Sequence, residues 1–369
     1  MKVLGLIVNP VAGIGGRLAL KGSDDAETIA RALDRGVRPL APVRARRALR
    51  ALGTAAPGIS VLAPAGEMGA TLAAEAGFTV SLLEHVPTAP TSAADTRAAA
   101  SELAEHGVDL LLFAGGDGTA RDVVDVVGTR VPVLGIPSGV KMRSAVFATT
   151  PEAAGDVAGR YIARPDLFSL VEGEVLDAPD AAVESVLFAR ARVPSAPGRL
   201  QRGKASAAPS DETALSALCT SIAAELEQDR LYFFGPGTTT ARILSALALE
   251  GTPLGVDAVR DGKLVAQDLD EAGMLRLLAD DAAASLVLGV IGGQGFLLGR
   301  GNQQISAEVL RRIGTANVVI VAGADKVTAL DPPVLYVDLG DGEQDHLLDG
   351  YRRVRVAPER SIMLRVETG

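Results

Sequence analysis

Asp117 stands between Gly116 and Gly118, preceded by Gly115 and followed by Thr119, where the apolar run VDLLLFAGGDGT ends. A carboxylate there could shape a turn and cap the next helix from Thr119, hold a metal ion, or act as a base toward a substrate hydroxyl. The glycines favour the last two uses. Without a Cβ they let the backbone approach a phosphate, and the first amides of a following helix form an anion site. On this reading Asp117 is the catalytic residue or a ligand for a metal ion, and replacing it with Asn changes stability by less than about 1 kcal/mol, the scale of a turn or cap.

Four further stretches carry similar chemistry. In NPVAGIGGRLALKG, Asn9 can fix the turn at a strand end, Gly13, Gly15 and Gly16 can cradle phosphates, and Arg17 and Lys21 add positive charge. The spacing is neither GxxxxGK[ST] nor GxGxxG. LGIPSGVKMRSAVFA places Ser138, Lys141 and Arg143 after the next strand, facing Asp117; a helix start with solvated bases is the plainer alternative. The chain has only six lysines against thirty arginines, and three of the six fall in glycine-rich or turn motifs, which hints at a use for a compact ammonium. FFGPGTTTARIL sets Gly237 before Thr238, Thr239 and Thr240, hydroxyls that can donate to phosphate or ribose, or simply cap a helix. IGGQGFLLGRGNQQIS crowds Gln294, Arg300, Asn302, Gln303 and Gln304 among glycines, a composition suited to gripping polar groups.

Other chemistries find no support. The three histidines, His85, His106 and His346, are isolated, zinc-type spacing is absent, and no GxSxG elbow occurs. Cys219, the only cysteine, lies in the apolar helical pattern ALSALCTSIAAEL and reads as a core residue.

The elements that must position these residues follow from periodicity. Strand patterns alternate with helical ones through about residue 150, including helices over Asp24–Leu33, Arg44–Leu52 and Ala120–Val127. Such alternation predicts an α/β domain with a doubly wound parallel sheet over residues 1–150. Residues 151–369 read as a second, mixed α/β or β-rich domain, with Pro194–Ser210 an exposed loop and YRRVRVAPERSIMLRV returning to pack on either domain. The chain of 369 residues is 48% hydrophobic and 22% charged, enough to bury two cores. A net charge of −9, 3% aromatics and no Trp argue against a nucleic-acid or anionic-membrane surface. The start MKVLGLIVNP enters a strand without an apolar leader, so a soluble cytoplasmic protein without membrane insertion is expected.

GGDGT is the signature of a kinase superfamily that includes NAD kinases, diacylglycerol and sphingosine kinases, and phosphofructokinases. Together with VNPVAGIGGRLALKGSD, LGIPSGVKM, GPGTTT, LGVDAV and IGGQGFLLGRGNQQIS, it resembles the AcoX-like, ATP-NAD kinase-related proteins. The resemblance implies a Rossmann-like N-terminal domain, a β-rich C-terminal domain and an active site in the cleft between them. It implies phosphoryl transfer from ATP with Mg2+ to a small-molecule nucleotide, NAD first, in a homo-oligomer. Gly115, Gly116, Asp117, Gly118 and Thr119 would form the phosphate and catalytic loop. GPGTTT takes the place of the second glycine/threonine motif of NAD kinases. Asp257, Gln294, Arg300, Asn302 and Gln303 would add to the cleft. The segment GIPSGVKMRSAVFA carries no asparagine where NAD kinases have one, and is closer to the lipid-kinase pattern PxGTxNDFA. A lipid or other alcohol kinase, and a nucleotide-binding regulatory protein without turnover, therefore stand beside the NAD kinase reading.

Overall fold

The structure is a computed structural model describing residues 2–18, 32–33, 36–140, 142–177, 186–201, 212–279, 283–291, 294–340 and 344–368. The chain forms two compact units, Met1–Ile14 with Gly22–Gly203, and Gly15–Lys21 with Lys204–Gly369. The helix expected over Asp24–Leu33 lies almost wholly outside the described residues.

The first unit is built on β1 (Val3–Val8), α1 (Ala41–Ala55), β2 (Ser60–Ala63), α2 (Ala70–Glu75), β3 (Thr79–Leu82), α3 (Ala93–Glu105), β4 (Leu110–Gly115), α4 (Asp117–Val127), β5 (Val133–Pro137) and α5 (Pro151–Ala163). Its five strands are parallel in the order β3-β2-β1-β4-β5. β4 and β5 are buried along their whole length, which explains their continuous apolar runs: β4 is a central parallel strand with helices over both faces, and β5, at the end of the sheet, is covered on its outer side by the segment at Phe147, which bridges to Gly135. After β1 the chain winds outward one way, and from β4 it winds outward the other way. The reversal falls between β1 and β4, so their carboxyl ends lie at the switch point of the sheet, where folds of this kind bind ligands.

The expected boundary at residue 150 is wrong. The first unit continues through α5 and an antiparallel hairpin of β6 (Leu170–Asp177) and β7 (Val186–Pro194). Val157, Ala158, Val175, Ala191 and Val193 bury into the same core as Phe113 and Val133. The change in sequence texture near Thr150 marks a helix N-cap, where the threonine hydroxyl accepts from Ala153 N, and not a change of core. α5 lies against α1 through two glycines. A Cβ at Gly155 would run into the Ala48 carbonyl, and one at Gly159 would come 2.6 Å from the Ala55 Cβ.

The second unit holds a mixed sheet of nine strands in the order β10-β9-β8-β11-β13-β15-β16-β14-β12. Its elements are α6 (Glu212–Ala224), β8 (Leu231–Phe234), α7 (Thr238–Ala246), β9 (Asp257–Arg260), β10 (Lys263–Ala266), α8 (Glu271–Leu278), β11 (Ala284–Gly289), β12 (Phe296–Leu298), α9 (Ala307–Ile313), β13 (Val318–Val321), α10 (Ala324–Thr328), β14 (Val334–Val337), β15 (Gly350–Ala357) and β16 (Arg360–Thr368). β8, β11, β13 and β15 run parallel. The terminal segment does not return to the first unit. It forms the β15–β16 hairpin, which joins the second sheet between β13 and β14. Among the described residues no helix is long and apolar enough to cross a membrane.

The glycine contact between α1 and α5 yields a direct test. Gly155→Ala places a methyl group against a backbone carbonyl that cannot rotate away, and overpacking of this kind costs about 1–3 kcal/mol. Thermal melting followed by circular dichroism should show a lower Tm for Gly155→Ala; an equal or higher Tm would mean that the two helices are not in this register.

Candidate active site

The carboxyl ends of β1, β4 and β5 lie side by side, with Val8 paired to Ala114 and Gly115 to Pro137. The turns that follow are tied to one another. The Asn9 amide donates to the Ala114 carbonyl at 3.0 Å, and its side-chain Nδ2 donates to Thr119 Oγ1 at 3.0 Å. Its Oδ1 accepts from Val11 N at 3.2 Å. Ser138 N donates to the Gly115 carbonyl at 2.9 Å, and Ser138 Oγ to the Ile136 carbonyl at 3.1 Å. Gly13 has φ +80°, and a Cβ on it would meet the Ser138 carbonyl; a Cβ on Gly115 would meet Thr119 Oγ1. Five expected site residues, Asn9, Gly13, Gly115, Thr119 and Ser138, are thus brought together. Their polar groups hold the loops in place, and both Thr119 and Ser138 are buried.

Asp117 is the first residue of α4, three residues earlier than the expected helix start, and Gly116 occupies the N-cap. The capping role therefore falls away, because the carboxylate accepts from outside its own helix. Arg143 N donates to Oδ2 at 2.8 Å, Ser144 N to Oδ1 at 3.1 Å, and Ser144 Oγ to Oδ1 at 2.6 Å. Burial pushes the Asp117 carboxyl above the usual carboxylate range; the bonds from Ser144 and Arg143 and the Arg143 charge pull the other way without cancelling it. A carboxylate offers about four lone-pair sites, and three are engaged, so one remains on Oδ2. The residue as a whole is half-buried. Beside it, no side chain caps α4. The helix start consequently keeps amides that have no intrahelical partner, a ready site for an anion.

Two residues were not foreseen. Arg44 is fully buried and donates through Nη1 to the Pro137 carbonyl at 2.7 Å, under the turn after β5. Its signal was present, since it falls on the apolar stripe of Ala41, Ala45, Ala48, Leu49 and Leu52. Ser144 had no such signal, because it meets Asp117 across 27 positions of chain.

The second unit holds the other expected residues. After β8, Gly237 caps α7 with φ +134°. Thr240 Oγ1 returns to the Gly237 carbonyl at 2.9 Å, and Thr239 and Thr240 are buried. Thr238 alone of the three threonines is exposed, as the first residue of the helix and not its cap. Asp257 is buried and accepts from Thr252 N at 2.5 Å, Thr252 Oγ1 at 2.8 Å and Asp268 N at 3.0 Å, which fixes a turn. The amide-rich stretch includes the edge strand β12 and holds itself together. Arg300 pairs with Asp338 at 2.9 Å and lies 3.8 Å above the Phe296 ring. Asn302 accepts from Gly299 N at 2.8 Å and donates to the Leu297 carbonyl at 2.9 Å, and Gln303 donates to the Gly299 carbonyl at 3.2 Å. Gln294 is buried in the same stretch. Gly15 and Gly16 belong to this unit, and a Cβ on Gly16 would come 2.8 Å from the Gln303 Cβ. The Arg17 side chain, Lys21, Lys141, Gly292 and Gly293 lie outside the described residues. Among the described residues, no group of three or more His, Cys, Asp or Glu side chains gathers to hold a metal ion.

A carboxylate and an open helix N-terminus thus stand together at the switch point of a doubly wound sheet, the place where folds of this kind bind their ligands. Residues 4–166 match the ATP-NAD kinase N-terminal domain, and residues 227–366 match the ATP-NAD kinase C-terminal domain. The chain belongs to the ATP-NAD kinase family. No curated protein matches it. Two solved structures, each of a candidate diacylglycerol kinase from Bacillus anthracis str. Sterne, are similar to it at 17% identity with a TM-score of 0.25. They cover 46% of this chain, which spans 44% and 41% of theirs, less than half of their length.

The three bonds to Asp117 revise the expectation that Asp117→Asn leaves stability nearly unchanged. Both carboxylate oxygens accept from backbone N–H groups, whereas Asn offers one acceptor and turns an NH2 toward the other donor. A buried donor left without a partner costs about 1–3 kcal/mol. Asp117→Asn should therefore lower the Tm of the first unit's transition in calorimetry; no change would show that the carboxylate does not hold the segment at Arg143 and Ser144.

Proposed function

We propose that this protein transfers the γ-phosphoryl group of ATP to a hydroxyl of a nucleotide acceptor, with NAD the leading acceptor. The observation that carries the reading is the remaining lone pair on Asp117 Oδ2 beside the uncapped start of α4. In this reading the Gly116–Gly118 turn and the first amides of α4 bind phosphate oxygens. Asp117 Oδ2 takes the proton from the acceptor hydroxyl as its oxygen forms the new bond to the γ-phosphorus. The bond from that phosphorus to the β–γ bridging oxygen breaks, and ADP leaves with the electron pair. Arg17, Lys21 and Lys141 are proposed to offset charge on the transferring group, where most of the catalysis in such reactions lies. In the second unit, Gly237 and Thr238 at the start of α7 are proposed contacts for a phosphate or ribose of the nucleotide, with Gln294, Arg300, Asn302, Gln303 and Asp257 shaping the surrounding loops.

The described donor set does not make a protein cage for Mg2+. Mg2+ would arrive with ATP, the ordinary way for an ion that keeps waters and few carboxylates, and would supply charge neutralisation. A cytoplasmic homo-oligomer is the setting the resemblance leads us to expect.

ATP and Mg2+ are incubated with NAD, NADH, nucleosides and diacylglycerol, and products are read by mass spectrometry. Phosphorylated NAD is the expected product. Asp117→Asn should lower kcat by about 10²–10⁴-fold, the usual loss on removing a general base, while ATP affinity by calorimetry stays within about threefold. Full specific activity in folded Asp117→Asn would overturn the assignment.

The pH dependence has a definite sign. The base must be ionised, and burial raises its pKa above that of an ordinary aspartate. Activity should be lost as pH falls through that raised value, so the acid limb of kcat lies above the ordinary carboxylate range. A flat kcat down to pH about 4 would contradict it.

A further inference from the structure

Ser144 is fully buried between Asp117 and β6. Leu176 N, in β6, donates to Ser144 Oγ at 3.0 Å, and Ser144 Oγ lies 2.6 Å from Asp117 Oδ1. A serine hydroxyl has one proton and two lone pairs. The Leu176 amide can only donate, so it occupies a lone pair. The ionised carboxylate can only accept, so the hydroxyl proton points at Oδ1. The direction of this bond is therefore imposed by strand β6. Ser144 N fills the second site on Oδ1 at 3.1 Å, while Arg143 N takes one site on Oδ2 at 2.8 Å.

We propose that Ser144 is a positioning residue which commits Oδ1 of Asp117 to the fold and leaves Oδ2 as the single oxygen that takes the acceptor's proton. The inference rests on the reading of Asp117 as the base. A carboxylate held by one hydroxyl and two backbone amides cannot rotate about its Cβ–Cγ bond without breaking them, so the basic lone pair is aimed before the acceptor arrives. Such fixed geometry is what converts a nearby base into an effective one. The same hydroxyl bond favours the ionised form and so opposes the effect of burial. Arg143 is the charged side chain that bears on this carboxyl, also favouring ionisation. The hairpin β6–β7 gains a purpose on this view, because Leu176 orients the hydroxyl that orients the base.

The full-length protein is compared with Ser144→Ala and Ser144→Thr in two measurements. The first needs no ligand: the Asp117 carboxyl is titrated by 13C NMR, its signal identified by its loss in Asp117→Asn. Ser144→Ala should raise the midpoint, by about tenfold in proton affinity for a charge-assisted bond, and Ser144→Thr should restore it. The second is the pH profile of kcat with ATP, Mg2+ and NAD. Ser144→Ala should lower the plateau about tenfold or more and move the acid limb upward by the same amount as the midpoint, with KM for ATP unchanged; Ser144→Thr should recover both. If Ser144→Ala does not fold, Ser144→Cys, whose thiol donates only weakly, supplies the same comparison. An unmoved midpoint and acid limb, or a lowered Tm alone, would make Ser144 purely structural and overturn the proposal. A moved midpoint in a protein that does not phosphorylate NAD supports the hold of Ser144 on Asp117 and counts against NAD as acceptor. Normal turnover by Asp117→Asn defeats the base reading itself, whatever Ser144 does.

Discussion

Pairing of β1 with β4, neighbours in space though they are separated by two other strands in sequence, is the constraint on which the site depends. Because the two strands are parallel, both end at one edge, and because the chain winds away from them in opposite directions, no crossover helix covers that edge. The Asn9 turn and the Gly115–Thr119 turn must then share the same small space. They do so through the bond from Asn9 to Thr119 and through glycines that admit carbonyl and hydroxyl groups where a Cβ would stand. Many residues that look like ligand contacts in sequence are here occupied in holding one loop against another.

Asp117 is where this arrangement becomes chemistry. Burial opposes its charge, and three donors favour it. Without donors, burial alone would push such a carboxylate toward the neutral acid, which cannot take a proton. One with every lone pair filled would be inert. The intermediate condition, ionised but with an acceptor site left over, is what a general base needs. It comes from segments far apart in sequence: the start of α4, the turn after β5 and strand β6 of the hairpin.

The second unit solves a different problem. In its glycine- and amide-rich stretch Gln294, Arg300, Asn302 and Gln304 are buried, and buried amides and charges must find partners. Arg300 with Asp338, and Asn302 with the backbone of Leu297 and Gly299, meet that demand locally. The β15–β16 hairpin joins β13 to β14, so the last residues of the chain complete this sheet instead of returning to the first.

Local pattern alone determined much of this protein. The apolar runs and glycine turns of β1, β4 and β5, the parallel sheet, the second mixed domain and the family motifs all depend on residues near one another in sequence, where periodicity and turn chemistry act. Asp117 was legible because glycines on both sides of a carboxylate at a strand end have few other uses. Arg44 was legible in principle, as a charge on an apolar helical stripe. Tertiary structure decided the rest. The first unit extends to Gly203 because α5 and β6–β7 share its core, a matter of shape complementarity that the change of sequence texture near Thr150 does not encode. It decided that Thr239, Thr240, Asn302 and Arg300 turn inward. It also decided that Ser144, an ordinary serine in sequence, meets Asp117, since a hydrogen bond between residues 27 positions apart exists only once strands and helices have packed.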